Sequence, residues 1–94
     1  MEMPLGGFWQ CPVTDANEII ARADAKSGKL HYVKIPHAAA YTPQDRTAGS
    51  WTPCTTATAA KFTAAGYFFA EMLNDVLGVP VGIIDCSWGG SRVE

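Results

Sequence analysis

The chain has 94 residues, 48% of them hydrophobic and 17% charged, and a formal net charge of -2. That composition is globular and leaves room for one small domain at most, which at this size buries only about 60 to 65% of the surface its unfolded chain exposes. The basic residues are scattered without a run or stripe, which excludes an electrostatic footprint for nucleic acid, and no apolar stretch reaches the roughly 20 residues of a membrane-spanning helix.

Residues 1–14 place Pro4, Gly6, Gly7 and Pro12 around Phe8 and Trp9, the pattern of an irregular loop that lays aromatics on a surface. Met1-Glu2-Met3-Pro4 has neither the basic nor the apolar region of a secretory signal. Asp15 followed by Glu18 makes a capping-box-like start, and Ile19, Ile20 and Ala23 supply one apolar face, so a helix of about two or three turns is expected, ended by Ser27-Gly28. Residues 30–35, with Tyr32, Val33 and Ile35 between Gly28 and Pro36, fit a short strand. Residues 36–53 have no usable period and are punctuated by Pro43, Gly49 and Pro53. They predict a long polar loop, in which Trp51 either pins the segment to the core or serves a site.

Phe62, Ala65, Phe69, Met72, Leu73, Val76 and Leu77 recur at three- and four-residue spacing, which predicts an amphipathic helix over 58–77 with Gly78 as its terminating glycine. Val81, Gly82, Ile83, Ile84, Asp85 and Cys86 form a mostly apolar run without alternation, as expected of a parallel strand buried on both faces. A helix leading by a tight turn into such a strand is half of a βαβ unit, so the fold class expected is α/β.

Cys11, Cys54 and Cys86 are odd in number, widely spaced and without a C-x-x-C pair, which argues against a zinc knuckle or a disulfide framework. They are expected to be unpaired and mostly buried, with a Cys11–Cys54 bridge as the open alternative. His31 and His37 lie six apart with no acidic cluster nearby, poor spacing for a metal site, and are expected to be surface or capping histidines.

The residues that follow the last strand, Ser87-Trp88-Gly89-Gly90-Ser91, are the best candidates for chemistry, because ligands gather at the carboxyl ends of strands in open α/β sheets. Paired glycines let the backbone approach a ligand and aim amide N–H groups at it, which is what an oxyanion hole requires. The plain alternative is a tight connection whose glycines only relieve sterics. Ser87 could also act as the nucleophile of a G-x-S-x-G-like elbow, but Asp85 stands where that motif needs a small residue and both histidines precede the serine. A dinucleotide turn lacks the G-x-G-x-x-G spacing.

Taken together, Met1-Glu2-Met3-Pro4-Leu5, Ser50-Trp51-Thr52-Pro53-Cys54, residues 62–69, and residues 78–84 running into Ser87-Trp88-Gly89-Gly90-Ser91 resemble the sialate O-acetylesterase family of SGNH hydrolases. The resemblance implies a three-layer α/β/α flavodoxin-like fold and removal of O-acetyl groups from sialic acid or other acetylated sugars by a serine nucleophile with a histidine base. It implies no metal and no organic cofactor. In that family the nucleophile lies in a Gly-Gln-Ser-Asn stretch just before the Met-Glu-Met-Pro-like segment, and the catalytic histidine lies far downstream. Residues 1–94 are therefore expected to be one partial domain, truncated at both ends, inactive alone and partnered by the rest of its own domain.

What the resemblance carries onto this chain is an oxyanion role for Gly89 or Gly90, a substrate-binding wall at Trp88 with Ser91 beside it, and a supporting or helix-opening acid at Glu94. His31 and His37 match no catalytic position of the family. The competing class is a non-enzymatic carbohydrate-binding module, motivated by Trp9, Trp51 and Trp88, which could stack on sugars.

Overall fold

The computed structural model of the chain describes residues 3–8, 11 and 13–91, so Trp9 and Glu94 lie outside the described residues. It is a mixed α/β arrangement. Helix α1 (Ala16–Ala21) runs into a 3₁₀ turn (Ala23–Lys26), followed by strand β1 (Leu30–Lys34) and the two-residue strand β2 (Thr52–Pro53). A second 3₁₀ turn (Ala59–Lys61), helix α2 (Ala64–Leu77) and strand β3 (Val81–Asp85) complete it. The sheet order is β2-β1-β3, with β1 central, antiparallel to β2 and parallel to β3.

Strand β1 forms where β-branched and aromatic residues predict it, burying Leu30, Tyr32 and Val33. Strand β2 falls inside the stretch expected to be loop. It is too short to carry a pattern, and it exists because Thr52 and Pro53 lie opposite Tyr32 and His31. A proline is tolerated there because β2 is an edge.

The capping box at Asp15 and Glu18 does not form. Asp15 sits at φ 59 in the left-handed region and makes no side-chain cap bond, whereas a capping side chain acts from a residue in the β region. Glu18 instead pairs with Arg22 at 3.0 Å on an open surface, where such a pair adds little. The helix ends after six residues and tightens to the 3₁₀ turn that buries Ala23.

The helix expected over 58–77 is split. Phe62 is extended (φ -65, ψ 145), and its carbonyl accepts from the Leu5 amide at 2.8 Å, while the Ala64 amide donates to the Met3 carbonyl at 2.7 Å. Pairing with the N-terminal segment thus takes backbone groups that a continuous helix would use. It frees Phe62 to enter the core, stacked on Tyr32 with ring centroids 4.7 Å apart.

The face of α2 that packs is Tyr67, Ala70 and Asn74, not the expected stripe, and Phe69, Met72, Val76 and Leu77 are exposed. Close approach decides this: a Cβ on Gly66 would lie 2.6 Å from Thr63 Cγ2 and 3.1 Å from Ile83 Cγ2, so α2 meets the sheet on its glycine side. Gly78 ends the helix as expected, at φ 67 with its amide on the Asn74 carbonyl. Asn74 then pins the turn into β3 by donating from Nδ2 to the Val79 carbonyl at 2.8 Å.

Strand β3 is parallel to β1 but is not buried on both faces. Val81 and Ile83 pack towards the core, while Gly82 and Ile84 are exposed, because α2 covers one face only. Trp51 lies on the other face, its ring 3.0 Å from where a Cβ on Gly82 would stand. The core is Leu5, Ala23, Leu30, Tyr32, Cys54, Ala59, Phe62, Tyr67 and Ala70.

Among the described residues no helix is long and apolar enough to cross a membrane. The three cysteines are free. Cys54 alone is buried, with Cys11 and Cys86 exposed, so the expectation of mostly buried thiols fails and Cys11 and Cys54 form no bridge. The reason is positional: Cys54 follows β2 into the core with its amide on the Leu30 carbonyl, while Cys86 has already left the sheet.

Candidate functional site

Because β1 and β3 are parallel and in register from Leu30 opposite Val81 to Lys34 opposite Asp85, both chains leave the sheet at the same edge. The Ile35 amide extends the ladder to the Asp85 carbonyl at 2.8 Å. Residues 35–37 and 86–91 therefore run side by side, where open α/β sheets collect their functional groups.

Asp85 is the hub of this edge. Alternation along β1 puts Tyr32 and Lys34 on one face, and the register puts Asp85 beside them. Its Oδ2 accepts from the Tyr32 hydroxyl at 2.6 Å and from Lys34 Nζ at 3.3 Å, and its Oδ1 accepts from the Ser87 hydroxyl at 2.5 Å and the Ser87 amide at 2.9 Å. Burial by itself raises the carboxyl's pKa. The donors outweigh it, Ser87 and Tyr32 foremost, and hold it down from 3.8 to about 2. Asp85 is thus a fixed anion at neutral pH and a poor proton acceptor.

The same contacts shape the next turn. With Ser87 held by Asp85, residues 88–91 close on themselves: the Ser91 amide donates to the Trp88 carbonyl at 3.1 Å and the Ser91 hydroxyl to the same oxygen at 2.6 Å. Gly90 has φ 79 and Gly89 does not have a positive φ, which is the pattern of a type II turn. Any L side chain at position 90 would be strained, so one glycine is needed for conformation. Among the described residues, the Gly89 and Gly90 amides donate to no backbone acceptor.

His37 reaches this turn from the end of β1. Its imidazole stacks on the Trp88 indole with centroids 4.3 Å apart and planes 4° from parallel. Its Nε2 lies 2.9 Å from the Ser87 carbonyl oxygen, which can only accept, so Nε2 carries the proton of this bond. Around these groups is a cleft of about 700 Å³, lined by His37, Trp88 and the two glycines together with Lys61 at the end of the second 3₁₀ turn and Thr63 just before α2. The Thr63 hydroxyl is buried at its edge without a protein partner among the described residues.

Trp88, Gly89, Gly90 and Ser91 therefore line one cleft as a single turn, although the Ser91 hydroxyl is engaged in closing that turn. Ser87 lines it too, but its hydroxyl faces Asp85, and His37 meets the Ser87 carbonyl instead of the hydroxyl. Among the described residues Ser87 lacks the imidazole that an activated serine requires. Trp51 is not part of the lining, and His31 stays within β1 opposite Pro53 and Gly82. No group of His, Cys, Asp and Glu among the described residues is placed to hold a metal ion.

Sequence reasoning missed His37, Lys34, Lys61, Thr63 and the hub role of Asp85. The spacing of the two histidines was uninformative. The available signal was that parallel strands ending at Lys34 and Asp85 bring the residues after each of them together.

Among the described residues, then, a turn whose two glycine amides meet no backbone acceptor stands at the carboxyl end of a parallel strand pair in a mixed α/β arrangement, where such amides can donate to a polar ligand group. No family model matches the chain, and no curated protein matches it. Among solved structures, a carbohydrate acetylesterase from Xanthomonas citri is similar at 40% sequence identity and a TM-score of 0.78, over 86% of this chain. The chain spans 18% of the length of that esterase.

Proposed function

We propose that residues 1–94 are one part of a serine esterase that removes O-acetyl groups from sialic acid or other acetylated sugars, with an SGNH-type three-layer α/β/α fold. The observation that carries this reading is the likeness to a carbohydrate acetylesterase at 40% identity, in a chain that ends its parallel strands in an amide-bearing glycine turn. In this reading the serine nucleophile and the histidine base come from polypeptide outside these residues, and so does the layer that covers Phe69, Met72, Val76 and Leu77.

The chemistry assigns this chain a defined share. A serine oxygen adds to the acetyl carbonyl, its proton passes to the histidine, and the carbonyl oxygen becomes an oxyanion. The Gly89 or Gly90 amide donates to that oxyanion. Collapse expels the sugar oxygen with the proton from histidine, and water then cleaves the acetyl-enzyme to release acetate. Trp88 offers an aromatic wall for the sugar, with Ser91 holding the turn beside it. No step calls for a metal or an organic cofactor.

The discriminating substitution is Gly89→Pro. Proline suits the second position of a type II turn and removes the N–H without breaking the turn. Acetate release is measured with the full-length polypeptide that contains these residues, on an O-acetylated sialic acid and an O-acetylated neutral sugar. Gly89→Pro should lower kcat by about 10²- to 10³-fold if Gly89 is the donor. Unchanged kcat removes Gly89 from the role, and no acetate release from either sugar by the unsubstituted protein refutes the esterase. The 94-residue chain alone should hydrolyse an aryl acetate at the background rate. Hydrolysis above background that Ser87→Ala abolishes would make Ser87 the nucleophile.

A further inference from the structure

We propose that His37 is a positioning residue for the oxyanion turn, clamping it through two bonds of different kind: a face-to-face stack on Trp88 and an Nε2–H donated to the Ser87 carbonyl. The function given to the turn rests on the esterase reading above; the clamp itself rests only on geometry.

Among the described residues the turn has few other supports. Its internal bonds, from the Ser91 amide and hydroxyl to the Trp88 carbonyl, set its shape but not its placement relative to the sheet. Placement comes through Ser87, the last residue before the turn, whose amide and hydroxyl are held by Asp85. Those bonds fix one side of Ser87 and leave its carbonyl, the atom that leads into Trp88, to another partner. His37 supplies it at 2.9 Å. The stack at 4.3 Å and 4° then fixes the orientation of the next side chain. A single ring thus bridges two consecutive residues immediately ahead of Gly89.

The bridge also ties together the two strand ends. Residues 36–50 have no regular structure and are exposed throughout, so His37 is where this loop is fastened to the β3 side. The imidazole covers one face of the indole, and Trp88 remains 45% exposed, which leaves aromatic surface for a ligand. Because a misplacement of about 1 Å in a catalytic group can cost about 100-fold in rate, a side chain that only aims the turn has a measurable effect.

Two measurements test this, one of which needs no activity. In the 94-residue chain with Trp9→Phe and Trp51→Phe in place, Trp88 is the sole remaining tryptophan. His37→Ala should at least double its acrylamide quenching constant, and His37→Phe, which keeps a flat ring, should restore most of the shielding, with circular dichroism unchanged in both. Unchanged quenching in His37→Ala overturns the clamp.

In the full-length polypeptide, His37→Ala should lower kcat for acetate release by about 10- to 100-fold with KM moved less than about threefold. His37→Gln, which keeps an N–H donor, should recover part of it. A kcat equal to that of the unsubstituted protein overturns the positioning role even if the stack is real. Absence of activity in the unsubstituted protein refutes the esterase reading and leaves the fluorescence result to decide the clamp.

Discussion

The Tyr32 hydroxyl donates to Asp85 Oδ2 at 2.6 Å, joining the central strand to the residue that holds Ser87 ahead of the candidate oxyanion turn. Tyr32 is also stacked on Phe62, so one side chain links the core, the sheet and the site. Its substitution by phenylalanine keeps the ring that stacks on Phe62 and removes the hydroxyl that donates to Asp85. Tyr32→Phe should destabilise the chain by about 1.5 to 3 kcal/mol, the usual range for a hydrogen bond to a charged group, measured by urea unfolding near neutral pH.

The same carboxylate predicts an acid limit. Its pKa is lower in the folded chain than the ordinary 3.8, at about 2, so its stabilising contribution is complete above about pH 4 and is lost as pH falls towards 2. Unfolding midpoints should therefore drop across that window. In Asp85→Asn the component of the drop due to this group should vanish. An identical acid profile in the variant would show that other carboxylates account for it.

Gly66 sits where α2 packs against Ile83 of β3 and the Thr63 side chain just before the helix. A methyl group there would sit 2.6 Å from Thr63 Cγ2 and 3.1 Å from Ile83 Cγ2. Gly66→Ala should cost about 1 to 3 kcal/mol despite the higher helix propensity of alanine, because overpacking outweighs the propensity gain of about 1 kcal/mol. Gly28→Ala, which meets nothing within 4 Å, is the matched control and should be near neutral in thermal melts. Equal melting temperatures for the two variants would contradict the close helix–sheet contact.

The thiols should react unequally. Cys54 is buried, and desolvation, with Glu71 and Asp24 adding to it, pushes its pKa from 9.0 up to about 11. Cys11 and Cys86 are exposed. A disulfide reagent at pH 8 should titrate two thiols rapidly in the native chain and the third only on unfolding. Three fast thiols would place Cys54 at the surface.

The apolar side chains that α2 and β3 leave open should make the 94-residue chain self-associate or bind a hydrophobic dye. Phe69, Met72, Val76 and Leu77 of α2 and Ile84 of β3 are all more than half exposed, and clustered exposed apolar side chains favour association. Phe69→Lys with Val76→Glu should reduce the sedimentation coefficient or the dye signal while leaving circular dichroism unchanged. A monodisperse, dye-silent unsubstituted chain would refute the expectation.

Local chemistry was enough to locate several elements. β-Branched and aromatic residues between Gly28 and Pro36 mark β1, Gly78 marks the end of α2, and Gly89-Gly90 marks a tight turn after β3, because each depends on the conformational limits of the residues concerned. The position of that turn followed from the same stretch, since a glycine pair after an apolar strand falls at the strand's carboxyl end. The rest depended on contacts between residues far apart in the chain. Periodicity put Phe62 and Phe69 on one helical stripe, but pairing of residues 3–5 with Phe62 and Ala64 broke the helix, and Gly66 rather than that stripe met the sheet.

Asp85 and His37 were illegible for a similar reason. A lone acid in an apolar strand and a lone histidine in a loop acquire roles only when parallel pairing sets Tyr32 and Lys34 beside one and Ser87 and Trp88 against the other. Residue type sets what a side chain can donate, accept or stack on. Which partner it meets across some fifty residues of chain is decided by strand order and register, and these are properties of the folded sheet.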